Sequence, residues 1–484
     1  MRRTIGGFAA IVVALTTAAC DSETKETKDE PRSVERVQTP VKADWTLDLD
    51  VVSQPRVADG VALTLVRDGG GLEAVAVDAA TGERLWSAPW SPGDVPPGYT
   101  LEPAVFETSD GRAVTAFSVP PKDLAATSPD MWVLPVTVRD LRTGKQLHRT
   151  EPLDLSTPLI PCADGKDACF TERPDGGRRL DLATGRVGKD SEGAPSRARS
   201  IGDGGIFSTN DRPGEQVGVV RDGEVVWSKP VDEVMGAPVT TDTGWEIDHD
   251  ADADRYVALM VRFDPVQLKR ARSGRPYTID ADTAYLAGID GASGRNLWTE
   301  RGAVQDCLGI ETDAPRVRCK EKGVRVFDAS GTAQRVDDAA VTVEGFDPAD
   351  GSTTWSVEVA PAAAEDVVLD RNQPIAKADT ALVATADGPR VVDLRTGEQS
   401  AAAADDVFTC AGTAERVTYR MKYFIDGRPV TKRSGEARYR PCTPGGGEAK
   451  SFTAPAIRDA GEPAGKGRYV LATGDGLQGF TAPR

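Results

Sequence analysis

The chain has 484 residues, enough for several domains or for one repeat-built domain with a large core. Its formal net charge of −17 argues against nucleic acid or an anionic lipid surface as a general partner, since both call for basic patches, and fits plain solubility. With two histidines, His148 and His249, a multi-histidine metal site or a relay of several histidines is nearly excluded.

Arg2 and Arg3 precede an apolar run over residues 5–19 that ends in small side chains. Fifteen apolar residues are too short for a hydrocarbon core of about 30 Å, so the run reads as a signal peptide. It ends "TTAAC", followed by "DSE". Small residues before a cysteine resemble a bacterial lipoprotein signal, which implies that Cys20 is the lipidated first residue of the mature protein, bound to the membrane by its acyl chains. In that signal a leucine usually stands three places before the cysteine, where this chain has Thr17, with Leu15 further out. The alternative is ordinary secretion with Cys20 unmodified. Residues 21–44 are polar and charged and cannot bury enough surface to offset their ordering entropy. They are expected to form a flexible tether with an end-to-end distance of about 25–30 Å.

From residue 45 the pattern changes to short alternating runs broken by Gly, Asp and Pro. "GLEAVAVDAATGERLW" predicts a strand, a tight turn and a returning strand. Asp78 and Thr81 can bond local backbone groups, and Gly82 supplies a positive φ. Trp86 follows four residues after that glycine. The unit recurs with Gly223 and Trp227, with Gly294 and Trp298, and with Gly351 and Trp355. Copies at Gly144, Gly185 and Gly397 keep the turn without the tryptophan. A large ring at one fixed register predicts a packing role between neighbouring sheets. Turn glycines spaced roughly 40 to 70 residues apart suit four-stranded propeller blades with variable loops. The fold expected is all-β, an eight-bladed β-propeller of four-stranded antiparallel blades, with seven blades as the alternative. "ADWTLDLD", with Trp45, has no partner before it, and "GRYVLATGDGLQGF" lacks a returning strand, so the N-terminal strand is expected to close the ring. Degenerate turns at residues 328–331 and 425–427 leave the count open.

The D-x-x-T-G-x-x-x-W unit, with "GLEAVAVD" before it, resembles the repeat of PQQ-like β-propeller proteins over most of residues 45–484. One member of that family is an accessory lipoprotein of outer-membrane β-barrel assembly, which implies a protein-binding scaffold. Others are quinoprotein dehydrogenases, which implies pyrroloquinoline quinone, calcium ligands, a catalytic aspartate and, in many, adjacent cysteines. No adjacent cysteines, no C-x-x-C-H heme motif and no G-x-S-x-G occur in the chain. No catalytic residue and no PQQ are therefore expected.

Six cysteines remain after Cys20, an even number suited to disulfides in an exported protein. Neighbours in sequence pair as Cys162 with Cys169, Cys307 with Cys319, and Cys410 with Cys442. Loop closure gives about 2.5, 3 and 3.7 kcal/mol for the three loops.

"WEIDHDADADRY" alternates Asp248, Asp250, Asp252 and Asp254. These could ligate Ca²⁺, but the glycine and glutamate of an EF-hand loop are missing, and a solvated loop in a blade insertion is the main expectation. "GDGLQG" at residues 474–479 has no room for a following helix, and "GEPAGKG" lacks the Ser or Thr of a phosphate loop.

The sequence thus predicts a signal peptide (1–19), a lipidated cysteine and tether (20–44) and a propeller (45–484). The composition, rich in Ala, Gly, Asp and Arg, fits a high-GC bacterium such as an actinobacterium. The function expected is a non-catalytic protein-binding scaffold on the extracytoplasmic face of the cell membrane, with an envelope protein as partner and no nucleic acid. A small-ligand or cell-wall-fragment sensor is the alternative, and a PQQ-dependent oxidoreductase stands third. Residues 245–280 and 411–441 are the expected functional insertions.

Overall fold

Asp78 shows how the repeat begins. Its carboxylate accepts the amides of Ala80 (3.0 Å) and Thr81 (3.1 Å), and its carbonyl accepts the Gly82 amide at 2.8 Å. Gly82 closes the turn at φ 74°, a left-handed conformation that side chains resist. The same set of bonds recurs at Asp140, Asp181 and Asp393. Each turn joins the last two strands of a small antiparallel sheet.

A computed structural model describes residues 38–483 apart from internal segments, the longest being 92–101, 121–132 and 190–198. Cys20, the signal segment, the tether up to residue 37 and Gly223 lie outside the described residues. The chain is mostly β-strand in many small sheets, most of them four-stranded and antiparallel. The first is Arg56–Ala58, Val61–Asp68, Gly71–Asp78 and Arg84–Trp90. Four-stranded sheets follow within residues 105–154, 160–189, 199–230 and 245–301. The sixth sheet centres on Val317–Phe327 and Ala333–Phe346, and the seventh has three strands within residues 380–401. The last sheet has seven strands, in the order Trp45–Leu47, Gly476–Thr481, Arg468–Thr473, Tyr439–Cys442, Phe408–Ala411 and Pro374–Ile375, with Glu462–Pro463 also paired to Arg468–Thr473 and with the N-terminal Trp45 opposite Gly479. Of the degenerate turns, residues 330–331 and 426–427 lie outside the described residues, and the strands on either side of each pair with one another.

Gly71–Asp78 has almost no polar alternation because both its faces are covered. Ala74 and Ala76 pack toward Phe117 and Leu141 of the second sheet. Val75 and Val77, on the opposite face, pack toward Val470, Ala472 and Leu477 of the last sheet. The first sheet is therefore sandwiched between the second sheet and the last one.

The repeat tryptophans link successive sheets. The Trp86 indole donates to the Leu141 carbonyl at 2.8 Å, Trp227 to Gly291 at 2.9 Å, and Trp298 to Pro348 at 2.9 Å. Trp355 reaches Leu394 at 3.2 Å and Trp45 reaches Ala79 at 3.3 Å. Every acceptor is the residue after a turn aspartate of the next sheet. The rings cover Gly82, Gly144, Gly294, Gly351 and Gly397 of those turns, and His148 covers Gly185 in the same way.

Three disulfides are present, Cys162–Cys169, Cys307–Cys319 and Cys410–Cys442, with Cα separations of 4.9, 5.9 and 5.8 Å.

Two outcomes follow from these turns. A Cβ on Gly294 would stand 2.5 Å from the Trp227 ring at φ 65°, whereas one on Gly188 would meet nothing within 4 Å. Gly294→Ala is expected to lower stability by about 1–3 kcal/mol in urea unfolding, and Gly188→Ala to leave it unchanged or slightly raised. The second outcome concerns acid. Partial burial works against the Asp140 charge, but the Thr143 hydroxyl and amide outweigh it and hold the carboxyl below the usual range. Asp78 and Asp181 are lowered by the same balance. A carboxylate lowered in the folded state contributes stability that is fully present above its unfolded pKa of about 3.9 and is lost as pH falls through the folded value. The urea midpoint is expected to fall as pH drops below about 4, and Asp140→Asn to flatten that slope while costing some stability at neutral pH.

Candidate functional site

The acidic stretch does not form a loop insertion. Trp245–Asp250 and Arg255–Val261 are the first two strands of the fifth sheet, paired from Trp245 opposite Met260 to Asp250 opposite Arg255. Ile247, Tyr256 and Ala258 are buried, and that burial makes the segment a strand pair. The insertion begins after it, with the helix Pro265–Arg272 and the strand Tyr277–Asp280, which crosses to pair with Val317–Phe327 of the sixth sheet.

The four aspartates do not converge on one point. Asp248 accepts the Gln305 side-chain amide at 2.8 Å. Asp250 accepts the Ala253 amide at 3.1 Å and so closes the hairpin turn, while Asp252 is exposed. Asp254, at φ 46°, takes both ends of the Arg221 guanidinium from the fourth sheet and lies 3.4 Å from His249 Nε2. Its carbonyl accepts the Gly291 amide at 2.9 Å, and the Gly291 carbonyl receives Trp227, so this ion pair braces an inter-sheet joint. The hydrogen bond from Arg221, ahead of partial burial, holds the Asp254 carboxyl below the usual range, and the same bond raises Arg221. His249 stacks on Tyr256 with ring centroids 4.5 Å apart, and burial pushes the Tyr256 hydroxyl up. Among the described residues no group of three or more His, Cys, Asp or Glu side chains could hold a metal ion.

Asp250 instead helps line a cleft of about 370 Å³ shared by the fifth, sixth and seventh sheets. Arg255, Arg316 and Arg395 bring guanidiniums to it, Asp347 a second carboxylate, and Phe346 an apolar wall. Guanidiniums present forked donors suited to carboxylates and phosphates, so the lining favours an anionic group over a cation. The cleft stands on two inter-sheet joints, since Pro348 and Leu394, which also line it, accept the Trp298 and Trp355 indoles.

Sequence reasoning missed the group beneath this cleft. Arg318 is 1% exposed; it donates to Glu344 at 2.9 Å, to the Gly351 carbonyl at 3.1 Å and to Thr353 at 3.0 Å. Its guanidinium also lies 5.1 Å from the centre of the Phe346 ring. The available signal was a charge inside the strand "VRCKEKGVRVF", where alternation leaves a cation on a covered face. Arg221 carried no signal of its own, because its partner Asp254 lies 33 positions away, and Arg255, Arg316 and Arg395 line one cleft from separate stretches of the chain.

No protein-family model and no curated protein sequence matches the chain. Among solved structures, the computationally designed protein Ika8 aligns with a TM-score of 0.40 at 13% identity, covering 92% of this chain and 100% of its own. BamB from Moraxella catarrhalis aligns with a TM-score of 0.36 at 14% identity over 91% of this chain and 98% of its own. A europium-containing methanol dehydrogenase gives 0.35 at 11% identity over 77% and 84%. BamB and methanol dehydrogenase are both β-propeller proteins of the PQQ-like type.

Proposed function

We propose that the chain is a lipid-anchored, extracytoplasmic, eight-bladed β-propeller of the PQQ-like type that acts as a non-catalytic protein-binding scaffold at the cell envelope, with no cofactor and no nucleic-acid partner. The observation that carries the architecture is the run of indole joints. Each leads from one sheet to the turn of the next, and the joint from Trp45 to the Asp78 turn unites the last sheet with the first. Anchoring is supported by the "TTAAC" segment before Cys20 and by a polar stretch that would hold the folded part just off the membrane. Binding rather than catalysis is supported by the absence of adjacent cysteines, of C-x-x-C-H and of G-x-S-x-G from the sequence.

A second reading, binding of a small anionic ligand, is favoured by the cleft that Arg255, Arg316 and Arg395 line. Cross-linking in intact cells, followed by purification and mass spectrometry, separates the two. The scaffold reading expects one reproducible, near-stoichiometric envelope protein. A preparation without an enriched partner, together with a rise in melting temperature on adding an anionic cell-wall fragment that Arg316→Gln abolishes, would establish the second reading in its place.

A further inference from the structure

The cleft shared by the fifth, sixth and seventh sheets holds charges of both signs that do not pair with each other. Asp250 and Arg255 stand opposite one another in the fifth sheet, on the closing rung of their hairpin. Side chains on such a rung share one face, with Cβ atoms about 5 Å apart. Arg316 and Asp347 stand at the ends of two paired strands of the sixth sheet, where the Phe346 amide donates to the Arg316 carbonyl at 2.9 Å. Each of these sheets thus brings one guanidinium and one carboxylate to the same cleft.

Local bonds fix the carboxylates. Asp250 accepts the Ala253 amide at 3.1 Å and Asp347 the Ala349 amide at 2.8 Å, in both cases through Oδ1. Asp290, on the other side of Arg255, is taken up by the Ser293 amide and hydroxyl. Among the described residues, none of Asp250, Arg255, Arg316 and Asp347 belongs to an ion pair, and Oδ2 of each carboxylate has no partner. Asp250 and Arg255 are only half-exposed, so this separation is not that of two charges in open solvent.

Unpaired charges of both signs discriminate between ligands. A ligand carrying only negative charge would meet the arginines and also two carboxylates, and like charges at close range oppose binding. A ligand carrying both signs finds a complement for each. Forked guanidinium donors suit a carboxylate, and the two Oδ2 atoms suit an ammonium. Buried Phe346 and Leu394 supply an apolar wall for a side chain. The cleft volume, about 370 Å³, is that of a cube about 7 Å on edge, the span of two residues of extended chain.

We infer that the cleft binds a zwitterionic peptide of dipeptide size, its carboxylate held by Arg255 and Arg316 and its ammonium by Asp250 and Asp347. This deepens the anionic-ligand reading of the same cleft and rests on it for the part played by the arginines.

The test is calorimetric titration of the whole mature chain, carrying Cys20→Ala so that no acyl chain is present. The probes are alanyl-phenylalanine, its N-acetyl form, its C-terminal amide, succinate and inorganic phosphate. The free dipeptide is expected to bind, and acetylation or amidation each to weaken binding about tenfold. In Asp250→Asn with Asp347→Asn the free and acetylated dipeptides should bind alike. In Arg316→Gln the free and amidated forms should draw together in the same way. Asparagine keeps an Oδ1 acceptor for each turn amide, and thermal unfolding without ligand reports that each variant is folded. The comparison among the dipeptides needs no variant at all. Equal or tighter binding of the N-acetyl form overturns the inference and leaves the anionic reading standing. Binding of succinate or phosphate without the dipeptide does the same. An acetylation penalty that survives in the double asparagine variant also overturns it, because the ammonium then lies elsewhere. If none of the five probes binds, both readings of the cleft fall together.

Discussion

The fold depends on one contact, an indole N–H donated to the carbonyl that follows a turn aspartate in the neighbouring sheet. That contact requires bare backbone in the turn beneath the ring. The next turn must have no Cβ beneath the ring, as at Gly351 under Trp298. At three of the five joints the strand beside the ring lacks one too: a Cβ on Gly288 would stand 2.1 Å from Trp298 Nε1, and Gly345 and Gly479 make the same room for Trp355 and Trp45, whereas Ala76 and Val219 stand opposite Trp86 and Trp227. Burying a tryptophan removes 150–250 Å² from water, about 4–6 kcal/mol per ring as an upper bound, and the carbonyl satisfies the one polar atom buried with it. The turn aspartate and turn glycine of each unit therefore fix both the local turn and the distance to the next sheet.

Where the ring is missing, other bonds stand nearby. The second sheet carries His148 in place of tryptophan, and its Arg142 reaches back to the Asp59 carbonyl at 3.2 Å and to Asp78 at 3.4 Å. The third sheet has Lys189 at that register and contains the Cys162–Cys169 disulfide. The seventh has Ala401 and is followed directly by the strand that holds Cys410. Covalent loop closure and apolar burial stabilise through different states, one by restricting the unfolded chain and the other by burying surface in the folded one, so the first can offset a local lack of the second.

What could be read in advance follows from this division. The aspartate turns were legible because their chemistry is local: Asp78, Thr81 and Gly82 bond one another within five residues. The cysteine pairs were legible because their separations are short. The ring's partner was not, because Trp227 rests on a turn 67 positions away in the chain. The acidic stretch was misread as an insertion because four aspartates dominate its composition. The alternate positions Trp245, Ile247 and His249 carry the strand, and Ile247 is the one that is buried. The cleft was wholly illegible, since its guanidiniums come from three sheets and meet only when the joints beneath them form.

A repeat that uses its aspartate, glycine and tryptophan to hold neighbours together leaves little of them for recognition, and Asp347 is the one turn aspartate of the repeat that also lines the cleft. Candidate functional chemistry in such a chain is therefore sought in its departures from the repeat. Arg255, Arg316 and Arg395 belong to no consensus position. Composition averages over both kinds of residue, and the average describes the scaffold. A net charge of −17 is a property of the many repeat and loop carboxylates, whereas Arg255, Arg316 and Arg395 gathered at one cleft act within a screening length of whatever they meet. Partner classes excluded by the charge of the whole chain are excluded only for the surface that the repeat builds.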